Sequence, residues 1–409
     1  MYKLIARYLL SKTRRRAVGR SLALLLTVAI LLFSTFFVGA ADYLVAVPYG
    51  STSTASRPDL GLACRSAVLM EASTGEILYA QNPEEAMPPA SVTKIMTLLL
   101  VMEAMERGEL AWDTPVTASA HAASMGGSQI YLEEGETMSA RDMIKSVVIA
   151  SANDAAVALA EHVAGSEQAF VARMNERAAE LGMADTHFEN TNGLDDTAQN
   201  HVTSAKDIAI MSRALIAYPA VLEFSSTWMD TIRDGAFGLS NTNRLVRFYR
   251  GCNGLKTGST SKAGFCVSAT AERDGMTLIA VIMGAESRDV RNAAATQLLD
   301  WGFATYALYT APTQEIPPLY VAGGKTSHVG VRQDGFSAVL PKTDVPSVEV
   351  TVTLPESLSA PVLAGEAVGK VTYTARGKVI GEVSLLAADT SERVDLWWLL
   401  RNLLSRMFC

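Results

Sequence analysis

Ser91-Val92-Thr93-Lys94 sets a hydroxyl and an amine three residues apart, the spacing that brings two side chains onto one face of a helix. A serine hydroxyl is a poor nucleophile until a neighbour takes its proton. A lysine can take that proton only when burial or a second cation lowers its pKa. Ser151-Ala152-Asn153 offers another hydroxyl and an amide. Lys256-Thr257-Gly258, followed by Ser259, offers the second cation, a charge for an anionic ligand, and a glycine that lets a ligand backbone approach a strand closely. Together these groups could activate a hydroxyl, hold an anion and release an amine, which are the parts of covalent acyl transfer. Each has a plainer explanation when taken alone. An SxxK spacing arises by chance about once or twice in a chain this long. Ser91 could cap a helix, Lys94 could lie on a solvated face, Ser151 or Asn153 could be an N-cap, and Lys256 could edge a hairpin.

The elements that must position these residues can be read from periodicity. Ser66–Met70 and Glu76–Ala80 read as strands joined by the turn Ser73-Thr74-Gly75, a hairpin. Pro88-Pro89-Ala90 leads into a helix from Ser91 to Arg107 with Gly108 as its stop, which places Ser91 in the first turn, near free N–H groups and the positive end of the dipole. Helical patterns follow at 139–150, 152–164, 167–182 and 204–217. Strand patterns return at 253–259, 264–272 and 276–284, and a last helix covers about 287–305. The run Asp154–Ala160 is rich in small residues, so as a helix it packs closely and holds the Ser151 loop rigid. Strands at both ends with helices between imply an α/β domain: one antiparallel sheet packed with a helical cluster. Pro312, Pro317 and Pro318 mark a boundary, after which Val348, Val350 and Val352 alternate with polar residues at strand period. Residues 311–387 therefore read as a small all-β domain.

Far more specific than any one cluster is their conjunction. SxxK, then an SxN-type pair, then KTG, in that order and widely separated, is the motif set of class A β-lactamases and penicillin-binding proteins. The chain resembles the low-molecular-mass penicillin-binding proteins, the serine D-alanyl-D-alanine carboxypeptidase family, over about residues 65–390 and the tail. Supporting stretches are Ala72–Gly75, Pro88–Ser91, Ser151–Ala155, Thr191-Asn192-Gly193-Leu194 and Gly254–Thr260. Within the family the Cys252 and Cys266 neighbourhood is most similar to the sporulation-associated branch. The resemblance implies a β-lactamase/transpeptidase-like fold and an acyl-enzyme at Ser91, with Lys94 as base and Ser151 relaying a proton to the leaving D-alanine. It implies Asn153, Lys256, Thr257, Gly258 and Ser259 as substrate-binding residues, with the backbone N–H groups of Ser91 and Ser259 as oxyanion hole. The implied partners are a peptidoglycan pentapeptide ending in D-Ala-D-Ala and β-lactam antibiotics as acylating inhibitors. The second motif is SAN rather than SDN, as carboxypeptidases of the family allow. Ser259 stands where several members have His, which bears on leaving-group handling, rate and pH profile. Three rival readings stay open from sequence alone: an exported serine β-lactamase, for which Glu189 is the nearest candidate activator of water, a catalytically silent wall-binding module, and endopeptidase or transpeptidase activity, which differs only in leaving group or acceptor.

Composition sets the remaining bounds. The formal charge of the 409 residues is −7, and the N-terminal 41 residues carry Lys3, Arg7, Lys12, Arg14, Arg15, Arg16 and Arg20 and no acid, so the body beyond them is more acidic still. That argues against nucleic acid as a partner. The basic stretch followed by the apolar run Ser21–Ala41 reads as a signal peptide or signal anchor, with the rest of the chain exported; residues 42–62 read as a linker. The five His show no HExxH or other ligand pattern, so neither metal nor cofactor is implied, and His121, His187 and His201 read as surface or structural. Cys252 and Cys266 fall at nearly opposed positions across a hairpin, as a cross-strand disulfide or two small core side chains. The tail, residues 388–409, holds Leu396, Trp397, Leu399, Leu400, Leu403, Leu404, Met407 and Phe408 against Arg401, Asn402, Ser405 and Arg406, an amphipathic helix for a membrane surface in preference to one packed on the β domain.

Overall fold

The computed structural model describes residues 58–195 and 198–407; the basic segment, its apolar run and most of the linker lie outside them, as do Phe408 and Cys409. The larger part is built on a five-stranded antiparallel sheet in the order β2-β1-β5-β4-β3, where β1 is Ser66–Glu71, β2 Ile77–Gln81, β3 Cys252–Thr260, β4 Gly264–Arg273 and β5 Met276–Ala285. The chain leaves this sheet after β2, builds a helical cluster, and returns through β3–β5, so the sheet is closed from both ends of the sequence as its pattern implied.

Both faces of the sheet are covered, which explains why its strands read as apolar runs rather than alternations. Val68, Met70, Ile279, Val281 and Met283 face the helical cluster. Ala67, Leu69, Leu278, Ala280 and Ile282 face the opposite layer, where Leu298, Leu299 and Phe303 of helix Arg288–Thr305 cover them. In chain order the helices are α1 (Lys94–Glu106), α2 (Ala140–Ile149), α3 (Asn153–Ala164), α4 (Glu167–Glu180), α5 (Ala205–Ile216), α6 (Pro219–Ser225) and α7 (Arg288–Thr305). Ser139, Ser166, Ser204 and Ser287 cap α2, α4, α5 and α7 by accepting a backbone N–H three residues on. α3 is buried over its first eight residues, Asn153 to Ala160, and its small side chains let it pass through the middle of the cluster.

Three features differ from the sequence-based expectation. The helix expected from Ser91 begins as a 3-10 turn, Ala90–Thr93, with the α-helix starting at Lys94. Cys252 and Cys266 are not opposed: Cys252 pairs with Ala271 and Cys266 with Gly258. They lie in the cores on opposite faces of the sheet, and both are free thiols. A register break between Cys252 and Gly254 adds to the offset that counting along the hairpin missed. Finally, Tyr306–Thr310, expected to end the larger domain, pairs along its whole length with Ser337–Pro341 of the β-rich part.

The β-rich part has its own core around Tyr373, Val371, Val321 and Leu385, with Phe336 stacked on Tyr373 at a 4.1 Å centroid distance. Its largest sheet has four antiparallel strands, with Ala367–Ala375 and Lys378–Ala387 as a central hairpin turned by Arg376-Gly377, both at positive φ. A helix, Leu396–Met407, ends the described chain.

Candidate active site

The first cluster sits at the junction of the 3-10 turn and α1. Ala90, just before Ser91, has φ +49, a left-handed conformation that costs a non-glycine residue about 1–2 kcal/mol. The turn is held in that shape from behind. Thr93 Oγ1 donates to Ala90 O (2.8 Å) and contacts His201 Nε2 at 2.7 Å, while His201 Nδ1 accepts from Glu189 N–H (3.0 Å). With Nδ1 accepting and the threonine proton already committed, His201 must carry its proton on Nε2 and donate it to Thr93. Burial pushes this histidine down to about 4, so it stays neutral at working pH. Its place is structural, as its sequence context implied.

Lys94 Nζ stands 3.0 Å from Ser91 Oγ, 2.5 Å from Asn153 Oδ1 and 2.7 Å from Asn192 O. The two carbonyl oxygens can only accept, so they take two N–H bonds. In a neutral amine the remaining tetrahedral direction is the lone pair, and here it faces the serine hydroxyl. Desolvation holds Lys94 well below the usual amine range, and the charge of Lys256 lowers it further, against an opposing pull from Asp154. The side chain is fully buried.

Asn192 comes from the 190–194 loop. Asn190 Oδ1 accepts from the N–H groups of Asn192 and Gly193, at 3.3 and 2.7 Å, and Thr97 Oγ1 donates to Thr191 O at 2.5 Å. Gly193 has φ +83, and a Cβ there would fall 1.9 Å from Ala90 O. No other residue fits, because the loop presses directly on the turn that carries Ser91. In the sequence this stretch stands out only through the family resemblance; a backbone carbonyl that positions a base leaves no side-chain signature to read.

The second cluster precedes α3. Ser151 has φ +64, and its Oγ accepts from Lys256 Nζ at 2.8 Å. Asn153 is buried with both ends of its amide engaged: Oδ1 by Lys94, and Nδ2, which donates to Gly126 O at 2.6 Å. As placed, Asn153 orients Lys94, a contact the substrate-binding expectation did not include. Its neighbour Asp154 accepts from the backbone N–H groups of Ile130, Leu132 and Ala155, fixing the loop that carries Ser128 to the cleft.

The third cluster lies on β3, the edge strand beside Ser91. Lys256 and Gly258, two residues apart, share a face. A Cβ on Gly258 would stand 2.8 Å from both Ser91 N and Pro89 O and 2.9 Å from Val92 N, so the strand reaches Ser91 only because this residue is glycine. Burial, and then the charge of Arg291, lowers Lys256 to about 7. Thr257 Oγ1 donates to Thr242 Oγ1 at 2.8 Å.

All three clusters meet at one cleft. A cavity of about 430 Å³ is lined by Ser91, Ser151, Thr257, Gly258 and Ser259, with Ser128, Trp228 and Thr242, while Lys94, Asn153 and Lys256 form its buried floor. Among the described residues no Asp or Glu lines it. Three arginines do, Arg244, Arg288 and Arg291. Arg291 is buried and lowered to about 10 by desolvation and by Arg288. None of the three stands out in the sequence, where isolated arginines are indistinguishable from solvated surface. Glu189 is elsewhere, accepting from the N–H groups of Gln199 and Asn200. A larger cavity, about 740 Å³, lies beyond the other ends of β1 and β5 and touches none of these residues. Among the described residues no cluster of His, Cys, Asp and Glu could hold a metal ion.

Comparisons with known proteins agree with this arrangement. Residues 51–287 match the family model described as D-alanyl-D-alanine carboxypeptidase, and residues 307–393 match that of the penicillin-binding protein 5 C-terminal domain. The D-alanyl-D-alanine carboxypeptidase DacF of Bacillus subtilis is 40% identical over 343 residues, 82% of this chain and 87% of that protein. The crystal structure of penicillin binding protein 5 from Haemophilus influenzae superposes with a TM-score of 0.72 at 31% identity, covering 82% of this chain and 99% of that one. Penicillin-binding protein D2 from Listeria monocytogenes in its ampicillin-bound form superposes at 0.56 with 36% identity, over 60% of this chain and all of that one.

Proposed function

Because the chain belongs to the D-alanyl-D-alanine carboxypeptidase family, we propose that Ser91 is the nucleophile by which it removes the terminal D-alanine from peptidoglycan stem peptides. It is a serine hydrolase, and the observation that carries the assignment of roles is the contact between Lys94 Nζ and Ser91 Oγ, with the other two directions of the amine closed by carbonyl oxygens.

Neutral Lys94 takes the Ser91 proton as Oγ attacks the carbonyl carbon of the penultimate D-alanine. The oxyanion that forms is met by the backbone N–H groups of Ser91 and Ser259; the close approach of β3 at Gly258 to Ser91 N supports that pairing. The C–N bond then breaks. Ser151, hydrogen-bonded to Lys256, passes a proton to the departing amine, leaving an ester on Ser91. Water cleaves the ester and restores the hydroxyl. Thr257 and Ser259, with buried Arg291, hold the terminal carboxylate, and Lys256 and Gly258 shape the strand beside it. Asn153 acts first on Lys94 and only through it on the substrate.

The same serine is acylated by β-lactams, as the ampicillin-bound Listeria relative suggests. A β-lactamase reading needs a carboxylate to drive deacylation, and among the described residues no Asp or Glu lines the cleft. The silent-module reading runs against four intact catalytic side chains in contact. We further propose that the enzyme is exported by its N-terminal segment and rests on the outer face of the cytoplasmic membrane through the Leu396–Met407 helix, whose Leu396, Trp397, Leu403 and Met407 are exposed.

The test is direct. A soluble form incubated with a peptide ending in D-Ala-D-Ala releases D-alanine, and Lys94→Ala releases none. Absence of product from the unaltered enzyme returns the silent module to first place.

A further inference from the structure

Lys94 keeps its lone pair on Ser91 only while its two other partners hold still. One of them, Asn153, is seated at the start of the buried helix α3. The other, Asn192 O, is a backbone carbonyl on a loop, and it points wherever the peptide planes around it are set. Those planes are held one after another. Asn190 Oδ1 accepts from the N–H groups of Asn192 and Gly193, and Thr97, on the same helix as Lys94, donates to Thr191 O. The N–H of Thr191 is taken from outside the loop. Glu167 Oε1 accepts from Thr191 N–H at 3.0 Å and from Thr191 Oγ1 at 2.7 Å, and Glu167 Oε2 meets His121 Nε2 at 2.7 Å.

Glu167 stands in the first turn of α4, where the helix dipole favours an acid, and that alone would account for its residue type. Its contacts go further. Ser166 already caps the helix by accepting from Ala169 N–H, and the Glu167 side chain turns away to a different loop. That side chain is only 16% exposed, and Thr191 is fully buried. A carboxylate accepting from a backbone N–H makes a strong bond. Without it the N–H and hydroxyl of Thr191 would be buried without an acceptor, and the loop would have to move to satisfy them. The charges that shift Lys94 come from Lys256 and Asp154; Glu167 reaches it through the loop instead.

We infer that Glu167 is a positioning residue for acylation: it fixes Thr191, which carries the Asn192 carbonyl into place, and that carbonyl keeps the Lys94 lone pair on Ser91. The inference rests on the proposed function, in which Lys94 is the base.

The experiment follows acylation of the full chain by a fluorescent penicillin, with the rate constant at saturation separated from the apparent Kd and measured across pH. Rate constants belong to folded molecules, so partial loss of folded protein cancels. In Glu167→Ala the plateau rate constant falls by about 10- to 100-fold while Kd moves by less than about twofold. Glu167→Gln keeps an oxygen for Thr191 and stays within about threefold of the unaltered rate. Glu167→Asp, one methylene short, falls part of the way and carries the test if the Ala variant does not fold. Ser166→Ala weakens α4 without touching the loop, so its melting temperature drops and its rate constant does not. In Glu167→Ala the acidic limb moves down, because an ammonium that loses an acceptor is disfavoured. A limb that moves up means that water has entered and Lys94 is less desolvated, and overturns the positioning role. An unchanged rate in Glu167→Ala, an equal loss in Glu167→Gln, or an equal loss in Ser166→Ala overturns it too, and each leaves the carboxypeptidase reading intact. Acylation that survives Lys94→Ala overturns the assignment of the base, and this inference with it.

Discussion

Asn153 Oδ1 accepts a hydrogen bond from Lys94 Nζ at 2.5 Å, and this contact separates two roles for the asparagine. Asn153→Asp places a carboxylate against the lysine. An opposite charge at this range favours the ammonium, so the Lys94 pKa rises and the neutral base becomes scarce at pH 7. Acylation falls on the order of 10²-fold and recovers as pH is raised through the new pKa. The pH profile of acylation by a fluorescent penicillin is the measurement. If Asn153 served substrate alone, the variant would raise KM and leave the acidic limb where it was.

Lys256 makes opposite contributions to activity and stability. Its charge helps to depress Lys94, so in Lys256→Met the acidic limb of acylation moves up by about one pH unit. For stability, the folded-state pKa of about 7 lies below the unfolded value of about 10.4. Between those two pH values the unfolded chain holds a proton that the folded chain has released, so this residue makes stability rise with pH across that window. At pH 7 and below its desolvation is a net cost. Lys256→Met is therefore more stable than the unaltered protein at pH 7, by on the order of 1–2 kcal/mol after its lost hydrogen bonds to Ser151 and Thr257 are counted, and the gap closes as pH rises towards the unfolded pKa. Urea titrations at several pH values would show this; a variant less stable at pH 7 would contradict it.

Gly258→Ala tests how tightly β3 must approach the nucleophile. The added methyl meets backbone atoms of Pro89, Ser91 and Val92 rather than a flexible side chain, so the strand must withdraw by several tenths of an ångström. Oxyanion donors that depend on that approach lose their geometry, and acylation slows by about 10²-fold or more. The melting temperature drops by only a few degrees, because β3 is an edge strand and its ladder with β4 is untouched. An unchanged acylation rate would remove Ser259 N–H from the oxyanion hole.

How much of this was legible in the sequence depends on which atoms carry the role. The roles proposed for Ser91, Lys94, Ser151 and Lys256 rest on side chains at informative spacing, and the strands and helices that bring them together are long and periodic. Asn192 acts through its carbonyl, His201 through a neutral ring behind the turn, and Asp154 through three backbone N–H groups; nothing in their residue types announces this. Arg244, at the start of the short helix Leu245–Phe248, and Arg288 and Arg291, in the first turn of α7, converge only once these separate stretches meet. Cys252 and Cys266 are core side chains, one of the two readings of them; their expected near-opposition failed for a related reason: register is set by a bulge and by the turn, neither of which residue counting resolves. The Tyr306–Thr310 strand lies next to α7 in sequence, whereas its hydrogen bonds go to Ser337–Pro341.

The terminal helix yields the last prediction. Leu396–Met407 leaves Trp397 80% exposed and Met407 70% exposed, so an apolar face remains uncovered, with Arg401 and Asn402 on the polar side. The body carries a net negative charge, so it is repelled by anionic lipid; attachment must come from the apolar face more than from charge. Removing residues 396–409 keeps the contacts of Lys325 with Glu392 and Asp395. The shortened enzyme should lose binding to phosphatidylglycerol-containing vesicles while releasing D-alanine at the same rate. In the longer form Trp fluorescence shifts to the blue on vesicle addition, and raised salt weakens binding only slightly. Self-association in place of vesicle binding, seen by sedimentation, would assign the face to a second copy of the chain; binding that persists without the helix would place the membrane contact elsewhere.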